Sequence, residues 1–424
     1  MKIKISLVFA LSFLLVFCPN FLFAQEEEMG DLMEMSLEEL LEVELDYGYK
    51  ESPVQVHTYM NTAFWSFDEQ FWGSYANKGG SYAGYPLFIS YSGYISVSAQ
   101  INPKLFAEAE FELYKGEKGQ FKVCRLRQVW TPSPHFRLTL GRDFPAIGVQ
   151  DKVYYPTSQF RLIALAPYLY LQILRATGWW DSGIHMSANF PVANDIKIMA
   201  DMSIINGPGD KHHSSSNYLL NKMKPNSDGY MYENFHSKAR QPWDNNKSKH
   251  IASRLAISPI KNLEVGGSYM FGKYDVDDKY NADYVWGHLL YGGKKLTIAA
   301  EYGQLMVDVN PNNFKIQSTD STWGNDLNKT FGASKVTQYS YYFSAGYKLF
   351  QNKGIEYFEP LFRYEFMDSW KEDKLDKGDR NLFWFGFRLS PIKHWVIKAA
   401  YSVQTEPYAD IDNNGMIVES VIDF

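Results

Sequence analysis

From Val54 onward, apolar and polar residues alternate with period two in run after run. Between Leu87 and Tyr114 two such runs flank Asn102-Pro103-Lys104. In the first, Ile89, Tyr91, Gly93, Ile95, Val97 and Ala99 share one parity, while Ser90, Ser92, Tyr94, Ser96, Ser98 and Gln100 take the other. In the second, Leu105, Ala107, Ala109, Phe111 and Leu113 alternate with Glu108, Glu110 and Glu112. Successive side chains of a strand point to opposite faces, so this pattern predicts strands with one greasy and one hydrated face. Each run has about the ten residues that a tilted strand needs to cross a bilayer.

Alternation and turn residues predict sixteen strands, over 54–65, 87–100, 104–114, 121–131, 136–143, 181–191, 195–206, 249–258, 262–274, 281–291, 295–308, 335–350, 355–367, 380–390, 394–405 and 415–424. Links after even-numbered strands are tight, among them Pro259-Ile260-Lys261 and Pro391-Ile392-Lys393. Links after odd-numbered strands are generally longer, notably 66–86, 144–180, 207–248 and 309–334. This alternation predicts an all-β fold, a transmembrane antiparallel β-barrel of about 16 strands with short periplasmic turns and long extracellular loops. A soluble barrel of that size would enclose a lumen too wide for side chains to fill, so the apolar rows are expected to look outward into lipid. Such rows include Tyr339, Tyr341, Phe343, Ala345, Tyr347 and Leu349, and Phe383, Phe385, Phe387 and Leu389. Trp65, Trp130, Phe136, Trp384 and Trp395 lie near expected strand ends, where amphipathic rings favour the membrane interface, although the parity of Trp384 points it inward.

Composition agrees with a wall that is greasy outside and wet inside: aromatics make up 17% of the 424 residues, yet the mean hydropathy is −0.33. Residues 1–24 read as a signal peptide, with Lys2 and Lys4, an apolar core from Leu7 to Phe17 and a small residue at Ala24. Phe17 is too large to precede a lipidated cysteine at Cys18, so the mature chain keeps only Cys124 and no intrachain disulfide is expected. The longest later apolar stretch, Leu162 to Leu174, contains Pro167 and is too short for a spanning helix. Residues 25–53 form an acidic periplasmic segment in which Ser36 and Glu39 make a capping box for a short helix within 26–46, and the barrel domain runs over 54–424. The formal charge of −6 argues against a nucleic-acid partner.

Candidate chemistry lies on the hydrated face. Glu108, Glu110 and Glu112 on one strand and Arg125 and Arg127 on the next would form a cross-strand ladder, since charge on the lipid face costs about 2–4 kcal/mol at the midplane. Such a ladder stiffens the wall, sets the field of a pore, or does both. Segment 144–180 is long for a structureless loop, and its apolar run would be an aggregation hazard in water. Folding inward would remove that hazard and narrow the bore, which makes it the candidate constriction loop, with Lys152, Arg161 and Arg175 as selecting cations; an external cap or an oligomer contact is the alternative. Inward-parity Arg254, Arg363, Arg388 and Lys398 would add positive potential on the far wall.

Phe106-Ala107-Glu108-Ala109-Glu110-Phe111-Glu112, Arg125 to Trp130, Leu138 to Phe144, Trp180-Asp181-Ser182-Gly183-Ile184 and Ile205-Asn206-Gly207 together resemble the phosphate-selective porin O and P family, as does Glu359 to Glu365. The resemblance implies a bacterial outer-membrane diffusion channel of sixteen strands, commonly a homotrimer, with an inward third loop. That family's lysine set does not map onto particular positions here. The expectation is therefore a passive porin for small hydrophilic solutes, anionic ones included, with outer-membrane lipid around it, no enzymatic activity and no cofactor or metal. Two alternatives remain: a scaffold barrel that docks a protein partner through residues 26–46 or the loop 207–248, and a barrel hydrolase, although no nucleophile elbow or metalloprotease motif is present.

Overall fold

The computed structural model describes residues 54–67, 87–114, 120–174, 178–193, 196–208, 247–274, 278–308, 335–352, 355–368, 379–405 and 414–423. The expected signal peptide, the helix within 26–46, Arg175, most of 207–248 and the terminal Phe424 lie outside them.

Period-two alternation becomes strand throughout. The strand segments are β1 (Val54–Phe67), β2 (Leu87–Asn102), β3 (Leu105–Tyr114), β4 (Gln120–Ser133), β5 (Phe136–Asp143), β6 (Asp181–Ala193), β7 (Ile196–Ile205), β8 (His250–Ser258), β9 (Leu263–Lys273), β10 (Asn281–Gly292), β11 (Leu296–Asp308), β12 (Lys335–Tyr347), β13 (Phe350–Asn352), β14 (Ile355–Asp368), β15 (Arg380–Ile392), β16 (Trp395–Thr405) and β17 (Gly415–Asp423). Two short helices, α1 (Gln150–Val153) and α2 (Tyr168–Ile173), interrupt the segment between β5 and β6. Apart from the short β13, successive strands pair antiparallel, and β1 pairs with both β2 and β17, the latter from Tyr59↔Asp423 to Phe67↔Gly415. The sheet therefore closes and has no free edge. Both β12 and the three-residue β13 pair with β14, so they are one stave broken at Lys348-Leu349 and the wall has sixteen staves, as the alternation predicts.

The tight turns follow from their residues. In the two copies of Ser-Pro-Ile-Lys the next residue, Asn262 or His394, takes a left-handed conformation, with φ of 66° and 69°. Asn and His are among the residues that tolerate this region best. At the turn between β2 and β3, the Lys104 amide donates to Asn102 Oδ1 at 2.9 Å.

The two faces separate as the parity requires. Leu126, Leu255, Val56 and Phe385 lie exposed on the outer face, while Glu110, Glu301, Arg363, Lys398 and Trp384 are buried on the inner one. Trp384 is no girdle residue, because its Nε1 donates to Glu365 at 3.0 Å. Outer rings instead meet across strands in tilted pairs, as in Phe362 with Phe385 and Tyr364 with Phe383, at 5.4 and 4.9 Å between centroids. At one place the wall departs from strict alternation. Strict alternation places Cys124 beside Leu126 on the outer row, but the register slips between Glu110↔Arg125 and Phe111↔Val123. The extra residue of this bulge is Cys124, which is only 1% exposed and sits 3.8 Å from Glu112 Oε2.

Candidate functional site

The inner face carries the ladder expected from the sequence and extends it to β5. Arg127 donates to Glu108 at 2.8 and 2.5 Å and to Asp143 at 2.5 Å. Arg125 lies 3.2 Å from Asp143 and 3.8 Å from Glu110, and its guanidinium sits over the rings of Phe144 and Tyr155 at 4.8 and 5.3 Å. Glu112 accepts from Tyr94 Oη at 2.8 Å and faces Lys122 at 3.8 Å. Every charge in the ladder has a counter-charge within 4 Å, which offsets the cost of taking it out of bulk water.

Segment 144–174 packs against this face in three sectors. Against β7 to β12, Ile147, Val149, Leu169, Tyr170 and Ile173 join Tyr284, Trp286, Leu305 and Tyr342 in one buried cluster. Here Glu301 gathers donors from wall and segment together: Trp286 Nε1 at 2.6 Å, Tyr342 Oη at 2.7 Å, Tyr170 Oη at 2.5 Å and the Val149 amide at 3.3 Å. Gly148 has φ of +61°, and a Cβ there would stand 2.7 Å from Trp286 Nε1, so glycine alone lets the chain turn this close to β10. The Ala146 and Gly148 amides donate to Ser203 on β7 and Ser268 on β9, at 3.0 and 2.9 Å. Against β14 to β17, Leu162, Ile163 and Leu165 pack on Leu361, Leu382, Trp384 and Ile417. Against β1 to β4, Phe144, Tyr154 and Trp180 meet Tyr59, Tyr94 and Cys124. Tyr155 donates to Glu110 Oε2 at 2.8 Å, and burial holds its phenol well above its usual pKa, so it stays a donor.

The cations expected to select solutes are engaged. Arg161 is buried and donates to the carbonyls of Tyr154 and Ala164. Arg363 donates to the Leu165 carbonyl at 2.8 Å and pairs with Glu365, which in turn accepts from the Tyr168 amide at 2.5 Å. Arg388 holds Glu359 at 2.6 Å and reaches the carbonyls of Ser158 and Gln159 at 3.4 and 3.3 Å. Lys398 donates to the Pro156 carbonyl at 2.6 Å and pairs with Glu419 at 3.2 Å. Lys152 pairs with Glu264, and Arg254 with Asp201 at 2.8 Å. Asp143, Glu264, Glu301, Glu359, Glu365 and Glu419 are the counterparts that the sequence reading left out. Inward parity could have found those on strands, but not what they hold.

A cavity of about 460 Å³ remains between the segment and the first four strands. One side is formed by His57, Tyr59, Ser96, Glu108, Glu110 and Arg125, and the other by Asp151, Lys152, Tyr155 and the stretch from Thr157 to Phe160. Among the described residues no group of three or more His, Cys, Asp or Glu is arranged to hold a metal ion.

Neither a family model nor a curated protein sequence matches the chain. Solved structures do. The anion-selective porin of Comamonas acidovorans is 12% identical, covers 88% of this chain and 100% of its own, and has a TM-score of 0.52. The outer membrane channel DcaP of Acinetobacter baumannii is 8% identical over 88% of this chain and 97% of its own, with a TM-score of 0.51. OmpT of Vibrio cholerae, an outer-membrane protein, is 10% identical over 89% of this chain and 99% of its own, at 0.50. Identities this low speak for the fold, and the fold is that of an outer-membrane porin barrel.

Proposed function

We propose that the chain is a passive diffusion channel of the bacterial outer membrane for small hydrophilic solutes, with segment 144–174 lying in the bore and narrowing it. One observation carries this reading: the segment's partners sit on the inner faces of β3, β7, β9, β11, β14, β15 and β16, on opposite walls. A cap resting on one rim could not reach them all. The slot that is left is walled by carboxylates, cations and hydroxyls, which suits hydrated solutes and needs no cofactor.

Within this proposal the cations divide by role. Arg161, Arg363, Arg388 and Lys398 hold main-chain carbonyls of the segment, which supports anchoring rather than direct contact with a solute. Of the remaining charges, Glu108, Glu110, Arg125 and Lys152 line the slot, which supports a part for them in the field that a solute meets. Kinship with the phosphate-selective porins, their preference for anions and a homotrimeric assembly are finer parts of the same reading; mass measurement in detergent tests the last. The channel itself is tested by reconstituting the purified protein in planar bilayers. Discrete conductance steps are expected, and their absence at any voltage would overturn the reading.

A further inference from the structure

We propose that the tight-turn rim of the barrel is a binding surface for anionic phospholipids of the periplasmic leaflet. Lys104, Lys261, Lys294 and Lys393 take the lipid phosphates, and the aliphatic residue beside each lysine enters the acyl boundary. The surface lies outside the bore and fixes the depth at which the barrel sits in the membrane.

The two copies of Ser-Pro-Ile-Lys show the arrangement. In both, the residue after the lysine is left-handed, Asn262 with φ of 66° and His394 with φ of 69°, so the two turns bend alike. Ile260 and Ile392 are left 55% and 60% exposed. Ile392 stands opposite Trp395 in the register, and Trp395 takes the parity of Ile397, away from the buried Lys398. The Trp395 Nε1 donates to Ser420 Oγ at 2.9 Å, so an indole and an aliphatic side chain lie together on the outer wall where the strands end. Indole rings favour the boundary between hydrocarbon and headgroups. A lysine one residue from that pair reaches phosphate height, with its stem along apolar surface and its ammonium in water.

The same pairing recurs around the rim. Exposed Ile101 precedes Lys104 at the β2–β3 turn, and exposed Leu296 follows Lys294 at the β10–β11 turn. All four lysines are exposed, and among the described residues none has a carboxylate within ion-pair distance. Of the carboxylates near this rim, Glu264 is held by Lys152 and His288, Asp423 faces His394, and Glu356 lies on another turn. Uncompensated positive charge at a membrane surface attracts anionic headgroups. A dissolved anion has no use for the aliphatic side chains. A protein partner would cover one sector, whereas these turns are spread over hairpins from β2 to β16.

The test places the full-length protein in phosphatidylcholine vesicles that carry spin-labelled phosphatidylglycerol or spin-labelled phosphatidylcholine, and compares the motionally restricted fractions. Folding of each variant is checked by heat-modifiable migration in gels. Wild type should favour phosphatidylglycerol about two- to fivefold. The preference should shrink in about 1 M salt, where screening acts over about 3 Å. Lys104→Gln, Lys261→Gln, Lys294→Gln and Lys393→Gln together should abolish it, while Lys249→Gln, near the opposite rim, should leave it unchanged. No preference in wild type, or one that survives the four changes or depends on Lys249 instead, overturns the inference. Conductance in planar bilayers is read separately. A protein that conducts without favouring phosphatidylglycerol refutes only the lipid surface, and one that favours it without conducting refutes only the channel.

Discussion

Glu301 joins wall to segment, and removing it should loosen the segment without opening the barrel. The carboxylate is 3% exposed; of its four donors, Trp286 and Tyr342 belong to the wall and Tyr170 and Val149 to the segment. Glu301→Ala leaves the Tyr170 and Tyr342 hydroxyls and the Trp286 N–H facing an apolar cluster with nothing to accept from them. Each stranded donor costs about 1–3 kcal/mol. Water entering the vacated space recovers part of the sum, so a loss of about 3 kcal/mol in the segment's attachment is expected. At about 1.4 kcal/mol per factor of ten, the fraction of molecules with the segment lifted rises roughly a hundredfold. Glu301→Gln should be milder, because one oxygen still accepts and the new amide can donate to a tyrosine oxygen. Brief trypsin digestion in micelles reads this directly, with cleavage after Lys152 and Arg161 followed by mass spectrometry. When reclosing is faster than cutting, the rate follows the lifted fraction. Cleavage of Glu301→Ala within about twofold of wild type would mean that this carboxylate does not hold the segment, and the energetic argument would fail.

The other predictions concern the wall. Leu126→Arg puts a charge where the side chain is 60% exposed on the outer face, and should cost about 2–4 kcal/mol in urea unfolding from lipid vesicles; no loss would contradict the assignment of faces. Cys124, shut in by the bulge, should resist a thiol reagent until the barrel is unfolded, and rapid labelling of native protein would refute the inward turn. Lys398→Met strands Glu419 at a site where both partners are 2% exposed or less, costing about 3–5 kcal/mol, and adding Glu419→Gln should restore most of that. Additive losses in the double variant would show that the pair is not coupled.

The fold was legible because alternation is local. Each run from Ile89 to Ala99 or from Leu105 to Leu113 states its own period, and the tight and long links between runs state the direction of the next. The same parity rule turns Glu108, Arg125, Arg254, Arg363 and Lys398 to one face. It failed at Cys124, where one inserted residue reverses the row and no residue type announces the slip.

What the amino-acid sequence determined by itself is the sixteen-stave wall, its lipid-facing and inner rows, and the length and apolar character of segment 144–180. Tertiary structure alone decided the fate of the inner charges. Arg161 looks like a free filter cation in the sequence, but its guanidinium meets the carbonyls of Tyr154 and Ala164; Lys398 finds Pro156, distant in the chain by 242 positions. Such partners meet only once the sheet has closed and an aperiodic stretch has taken one path across it. Strand parity carries no information about that path, so the sequence could say which side chains face inward but not which of them remain free.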